Sequence, residues 1–391
     1  MCGFQSEIME RAHRGPEVSG PGVVRGLAEV GAGDRAAAGG KGASLGELTQ
    51  LGIRVPPGFV VTVEAFGRAL RALDPEGTIR RELGRLPDGD PAAVAEVTAR
   101  VRARIASSPL PGGVRDQIVA RYRGLGGDPG AAGGVPVAVR SSATGEDDAE
   151  TSLAGLQDTY LWVRGADALT DHVRKCWASL YNAEAVGYRR RMKLSEQDQA
   201  MAVVVQRMVE PRCAGVMFTC SPATGDRSVI AVEGCWGLGS ALVSGDVTPD
   251  SFVISKVTGE IVRRQVAVKH RLHRAGPGGA GVIAADVPGP LQEAACLGDP
   301  ELAALARLGR RVEDHYGAPQ DIEWAITDGA SPEESVVLLQ SRPETVWARR
   351  RAGPLATPKA RAVDHVFEQL GRVNVITPRI TPETPRPGPE R

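Results

Sequence analysis

The sequence predicts an α/β (α+β) fold with two lobes and mixed sheets, and three observations carry that reading. Apolar runs of strand length, such as Phe59-Val60-Val61, Val137–Val139 and Ala202–Val209, alternate with segments of helical periodicity. Several strand candidates follow one another at hairpin-like spacing, which favours a mixed sheet over a purely parallel one. The chain has 391 residues, 42% of them hydrophobic. That is enough for two core-forming lobes, because a single core stops growing near ~250–300 residues.

Residues 1–20 are polar and broken by Gly and Pro, and read as a disordered leader. Structured sequence begins near Val23. In Ser44–Leu51, Leu45 and Leu48 stand at helical spacing and Gly52 supplies a C-terminal stop. Ile53–Thr62 follows as an extended piece, because Pro56 and Pro57 exclude helix and Phe59-Val60-Val61 forms a short strand. Phe66, Leu70 and Leu73, at i, i+4 and i+7, predict a second amphipathic helix. Residues 85–134 carry one or two more helices and end in the loop GLGGDPGAAGG. PVAVRSS then reads as a buried strand with a polar tip, and Ala202–Val209, Val229–Glu233 and Phe252–Lys256 are further strands.

These elements divide into an N-terminal lobe over 21–200, a C-terminal lobe over 201–350 and a linker-like tail over 351–391. The tail is rich in proline and cannot bury a core of its own. Within it, Val363, Val366, Phe367 and Leu370 form one helical stripe, either packed on the parent domain or docking a partner chain.

Forty-seven basic and 47 acidic side chains give zero formal charge, which argues against wholesale binding to nucleic acid or an anionic membrane. Arginine clusters such as Arg189-Arg190-Arg191 read as solvated faces. Six cysteines without a CxxC pair read as reduced, mostly buried thiols, not as a disulfide frame or zinc site. No secretory signal and no run of ~18 apolar residues is present, so the expected location is cytoplasmic.

Three segments can carry chemistry. Lys41 lies in Gly39-Gly40-Lys41-Gly42, just ahead of a helix, where backbone amides, a helix N-terminus and a lysine suit a polyphosphate. It is not a P-loop, since Arg35 stands where that motif has its first Gly and Gly42 where it needs Ser or Thr. By itself this run reads as a surface turn more often than as a nucleotide site. Arg140 ends a strand and leads into SSATGEDD, so a guanidinium fixed at a strand tip can clamp phosphate bidentately. Ser152–Thr159, which includes Gly155, offers a hydroxyl-rich loop that is either a flap over phosphates or an ordinary hairpin.

The most informative segment is Asp321–Ile326. Its polar–apolar alternation puts Asp321 and Glu323 on one face of a strand, with Ile322, Trp324 and Ile326 toward the core. After a loop, VVLLQSR places Gln340 and Arg342 two apart on one face. Antiparallel pairing of the two strands brings Asp321, Glu323, Gln340 and Arg342 into one polar cluster. Carboxylates and an amide are hard oxygen ligands suited to Mg²⁺, and arginine suits the phosphate that the metal bridges. The alternative is an exposed hairpin face with a routine ion pair.

At these residues the chain resembles the ATP-binding domain of the phosphoenolpyruvate synthase and pyruvate phosphate dikinase family, on the side of the synthase and rifampicin phosphotransferase branch. The resemblance rests on GGKGASLGEL, IRVPPGFVVT, VAVRSSATGED, SLAGLQDTYLWV, CWASLY, VVVQRMVEPRCAGVMFTCSPATGD, GLGSALVSGDVTPDSFVIS, YGAPQDIEWAI and LLQSRPETVW, in order over about residues 24–347. It implies an ATP-grasp fold, two α/β lobes closing on a nucleotide, and the cofactors ATP and Mg²⁺. It implies that Lys41, Arg140 and Arg342 hold phosphates and that Gly155 and Thr159 lie in a flap over them. Gln206 would sit beside the nucleotide at the lobe hinge, and Glu323 and Gln340 would bind magnesium with Asp321 assisting.

In that family phosphate passes first to a histidine in a Thr-Ser-His setting on a swivelling domain, with the β-phosphate of ATP kept on it in the dikinase reactions. His13, His172, His270, His273, His315 and His365 lack that setting. The tail is also too short for the acceptor barrel. The resemblance therefore implies an ATP-dependent phosphotransferase module that works with a histidine-bearing phosphocarrier domain or subunit in trans. Two further readings stay open: a nucleotide-responsive regulatory protein, and a truncated domain of a longer phosphotransferase.

Overall fold

Two antiparallel sheets are assembled from the apolar runs that alternate with helices along the chain. The computed structural model describes residues 22–86, 90–126, 134–144, 158–279, 281–345 and 347. The first sheet holds β1 (Val24–Gly26), β2 (Gly58–Val61), β3 (Val137–Ala143), β4 (Thr159–Val163) and β5 (Met201–Arg207), in the order β1-β2-β5-β3-β4. The chain then forms β6 (Cys213–Phe218), β7 (Val229–Trp236), β8 (Asp250–Ser255) and β9 (Ile261–Gln265), a separate two-stranded ribbon of β10 (Arg271–Ala275) and β11 (Val282–Asp286), and finally β12 (Gln320–Ile326) and β13 (Val336–Pro343). The second sheet is ordered β13-β12-β6-β7-β8-β9.

The expectation of mixed sheets is corrected. All pairs of these strands are antiparallel, and the one parallel pairing among the described residues is an isolated bridge between Gly237 and His273. Strands joined by short loops, as β6 to β7, β8 to β9 and β12 to β13 are, pair antiparallel because a parallel pair needs a long crossover.

Among the described residues eight longer helices accompany the sheets: α1 (Arg35–Gln50), α2 (Val63–Leu73), α3 (Thr78–Gly84), α4 (Pro91–Ser107), α5 (Gly112–Gly124), α6 (Ala166–Ser179), α7 (Ala183–Arg191) and α8 (Asp299–Tyr316). The first sheet is covered on both faces, which explains its unbroken apolar runs. Phe59, Val61, Val203 and Val205 pack with Val101, Ile118 and Trp177 of the helical layer. Their neighbours Val60, Ala202 and Val204 pack on Ala38 and Leu45 of α1. In the second sheet Met217, Val232, Phe252, Ile322 and Trp324 pack against Leu302, Leu305 and Val312 of α8.

The strand expected to open the second lobe at residue 201 belongs to the first sheet. β5 sits between β2 and β3 and pairs with both, so the passage between sheets falls in the segment between Arg207 and Cys213. α1 begins at Arg35, well before the expected Ser44, and breaks at Gly39, which has φ 69° and ψ 173°. A Cβ on Gly39 would lie 2.1 Å from the Ser142 carbonyl oxygen, so this position takes glycine on two counts.

α1 and the chain after it fasten the two sheets together. Ser44 Oγ donates to the Ser341 carbonyl at 2.6 Å, and Leu338 N donates to the Arg54 carbonyl at 3.0 Å. The chain divides after Trp347. The expected tail, with its helical stripe Val363–Leu370, and the expected leader both lie outside the described residues.

Candidate active site

Arg140 was expected to end its strand but lies in the middle of β3, from which its side chain reaches across to the second sheet. Its Nη2 donates to Glu323 Oε2 at 2.8 Å and to Gln340 Oε1 at 2.7 Å, and its Nη1 donates to the Leu339 carbonyl at 3.0 Å. The local strand geometry explains all three acceptors. β12 and β13 pair Asp321 with Arg342 and Glu323 with Gln340, then shift so that Trp324 faces Leu338. The bulge leaves Leu339 out of the ladder, with a carbonyl free to accept from outside the sheet. Alternation on β12 keeps Ile322 and Trp324 buried while Asp321 and Glu323 face the cleft.

The electrostatics follow from this arrangement. Burial pushes the Glu323 carboxyl up, but the Arg140 guanidinium, with Lys41 and Arg342 adding their charge, outweighs it and holds the group below the usual range. Asp321 goes the other way. Burial, opposed by Arg342 and reinforced by Glu344, raises it to about 6. Arg342 Nε lies 3.4 Å from Asp321 Oδ2, and Asp321 Oδ1 is buried with no hydrogen-bond partner among the described residues.

Beside this cluster a cavity of about 340 Å³ runs between the sheets, lined by Thr159, Gln206, Met208, Leu238, Trp324 and Leu339 among others. Gln206 is buried, and its Nε2 donates to the Pro56 carbonyl at 3.3 Å. A larger open groove of about 1300 Å³ lies by α3, α4 and α7, away from these charged groups. The smaller cavity is the one on which the polar groups converge.

Residues 35–362 match the family model of the pyruvate phosphate dikinase AMP/ATP-binding domain. The chain belongs to that family. Among curated relatives, it is 44% identical over 321 residues to a probable phosphoenolpyruvate synthase of Methanothermobacter thermautotrophicus, covering 81% of this chain and 45% of the relative. It is 40% identical over 346 residues to the phosphoenolpyruvate synthase of Aeropyrum pernix, covering 82% and 42% respectively. It is 43% identical over 324 residues to a rifampicin phosphotransferase of a Streptomyces species, covering 83% and 36%. The chain thus spans less than half the length of each of these relatives.

In this dikinase-family domain the cluster of Asp321, Glu323, Gln340 and Arg342 expected from strand alternation is present, and Arg140 joins it from the other sheet. Lys41 lies close enough for its charge to act on Glu323. Thr159 begins β4 at the cavity wall, whereas Gly155 lies outside the described residues. Sequence reasoning missed the Leu339 carbonyl, since a bulge has no residue signature here. It also missed the apolar walls Leu238 and Trp324, which look like any other core positions.

No group of three or more His, Cys, Asp or Glu side chains that could hold a metal occurs among the described residues. The oxygen donors that the cluster offers a divalent cation are two carboxylates and an amide, from Asp321, Glu323 and Gln340. The set fits: the oxygens of Asp321, Glu323 and Gln340 share one face of a paired hairpin, and Asp321 Oδ1 has no hydrogen-bond partner among the described residues. No helix among the described residues is long and apolar enough to cross a membrane.

Proposed function

We propose that this chain is the magnesium-dependent ATP-binding module of a phosphoenolpyruvate synthase-like dikinase, folded as an ATP-grasp of two lobes. The lobes correspond to the two sheets, divided between Arg207 and Cys213. One observation carries the reading: an arginine from the middle of a strand in one sheet meets two metal-type oxygen donors on the other, beside a cavity that both sheets line.

The nucleotide base and ribose occupy the cavity beside Gln206, Leu238 and Trp324. The polyphosphate runs toward Lys41, Arg140 and Arg342. Glu323 and Gln340, with Asp321 assisting, hold Mg²⁺, which when bound supplies charge neutralisation at the phosphate oxygens. Phosphoryl transfer needs alignment and electrostatic stabilisation more than covalent help from the protein. Lys41, Arg140 and Arg342 provide these by fixing cations around the transferring group. Thr159, at the cavity wall, helps to exclude water.

The acceptor is a histidine on a separate domain or subunit: its ring nitrogen takes the β-phosphoryl group, AMP leaves, and the γ-phosphoryl group passes to water or phosphate. Support comes from the family membership and from the relatives' greater length, which leaves room for such a domain in them.

Glu323→Gln tests the metal assignment. It should weaken Mg·ATP binding strongly in calorimetric titration, and an unchanged affinity removes Glu323 from the site. Incubation with labelled ATP and a histidine domain from a related synthase should yield AMP and labelled histidine. Accumulation of ADP alone rules out the β-phosphoryl route.

A further inference from the structure

Ser142 has no part in the binding scheme above, yet it is fully buried and makes two hydrogen bonds that bracket Lys41. Its Oγ donates to the Ala38 carbonyl at 2.8 Å and accepts from Gly42 N at 3.0 Å. One partner lies three residues before Lys41 and the other immediately after it. On β3, Ser142 is two residues beyond Arg140 and so shares its face of the strand. Between the two contacts, Gly39 takes its left-handed turn so close to Ser142 that a Cβ there would lie 2.4 Å from Ser142 Oγ and 2.1 Å from its carbonyl oxygen. The glycine-rich turn and the arginine strand are thereby locked at one junction.

We propose that Ser142 is a positioning residue that sets the spacing of the Lys41 ammonium from the Arg140 guanidinium for a nucleotide polyphosphate; this rests on the ATP-site reading above. Helix α1 can pack on the sheet through Ala38, Leu45 and Val60 without the hydroxyl. What the hydroxyl adds is the path of the backbone on both sides of Lys41. A misplacement of about 1 Å in such a clamp is enough to cost up to about a hundredfold in function. Because Ser142 holds the Lys41 turn and does not line the cavity assigned to the base, its loss should be felt by the phosphates and not by the base.

The test compares Mg·ATP with adenosine on the full chain, in wild type and Ser142→Ala, by calorimetric titration, with thermal melting alongside. The expected result is a loss of ATP affinity of about tenfold or more with adenosine affinity unchanged. Ser142→Cys, which keeps the volume and weakens the hydrogen bonds, should fall between wild type and Ser142→Ala, and replaces it if the alanine variant melts too low to titrate. An ATP affinity equal to wild type overturns the proposal, as does a parallel loss for ATP and adenosine, which marks a merely structural hydroxyl. If the wild-type chain itself shows no preference for ATP over adenosine, the nucleotide reading fails and the proposal falls with it.

Discussion

Replacing Arg140 by methionine should move two affinities in opposite directions. The Arg140 side chain is 12% exposed and engages Glu323, Gln340 and the Leu339 carbonyl on the opposite sheet. Hydrogen bonds to charged groups are worth about 1.5–3 kcal/mol each, but Glu323 keeps 37% exposure, so water screens the pair and takes over part of the lost bonding. The expected loss of folding stability is therefore about 2–3 kcal/mol, well below the sum of three bonds, measured by urea unfolding.

For ATP, removal of a phosphate clamp should cost about 1.4–3 kcal/mol, a tenfold to hundredfold loss. For a divalent cation without nucleotide the sign reverses. Glu323 and Gln340 must let go of the guanidinium before they can ligate, and the variant has no guanidinium to displace and one positive charge fewer. Mn²⁺ affinity in the absence of nucleotide, followed by electron paramagnetic resonance, should rise by about tenfold, as a competing contact of about 1.4 kcal/mol dictates. A fall in Mn²⁺ affinity would refute the reasoning, because it would mean that Arg140 supports the cation site and does not compete for it.

Four other expectations follow from single contacts. Asp321 has a folded-state pKa of about 6, above its ordinary value, so the folded chain binds its proton more tightly than the unfolded chain does. Its contribution to stability is present at low pH and is lost as pH rises from about 4 to about 6, by roughly 3 kcal/mol; Asp321→Asn should flatten that part of the pH–stability curve, and an unaltered curve rules out Asp321 as its source. With Gln206 Nε2 engaged on Pro56, the acceptor oxygen remains for the base, which suits the exocyclic amine of adenine and opposes the carbonyl of guanine; Gln206→Leu should narrow the preference for ATP over GTP by about tenfold in competition binding. A Cβ on Gly46 would lie 2.2 Å from the Val30 carbonyl, so Gly46→Ala should destabilise by about 1–3 kcal/mol in chemical unfolding. Lys269 and Asp250 are both fully buried and paired at 2.5 Å, so Lys269→Met, which strands the carboxylate, should cost about 3–5 kcal/mol in the same assay.

Some of the site could be read without any structure because its physics is local. The two-residue period of a strand puts Asp321 with Glu323, and Gln340 with Arg342, whatever the rest of the chain does. The buried partners Ile322 and Trp324 mark which face is which. Family motifs extend this to Lys41, Arg140 and Gln206. Other expectations failed where the deciding force was not local. The mixed sheets came from reading strands singly, and a strand's neighbours depend on which distant edges it meets. α1 was expected too short, because its first turns hold small residues whose fit against Ser142 leaves no apolar periodicity to read.

The sequence by itself determined the strand faces, the residue types able to hold phosphate and metal, and membership of a dikinase ATP-binding family. Only the tertiary structure decided that β5 completes the first sheet, that the β12–β13 register bulges at Leu339, and that Arg140 closes on Glu323 and Gln340 from 183 and 200 residues away. Side-chain direction along one strand is set by backbone geometry within a few residues. Contacts across that many residues exist only once both sheets have packed, and no local pattern encodes them.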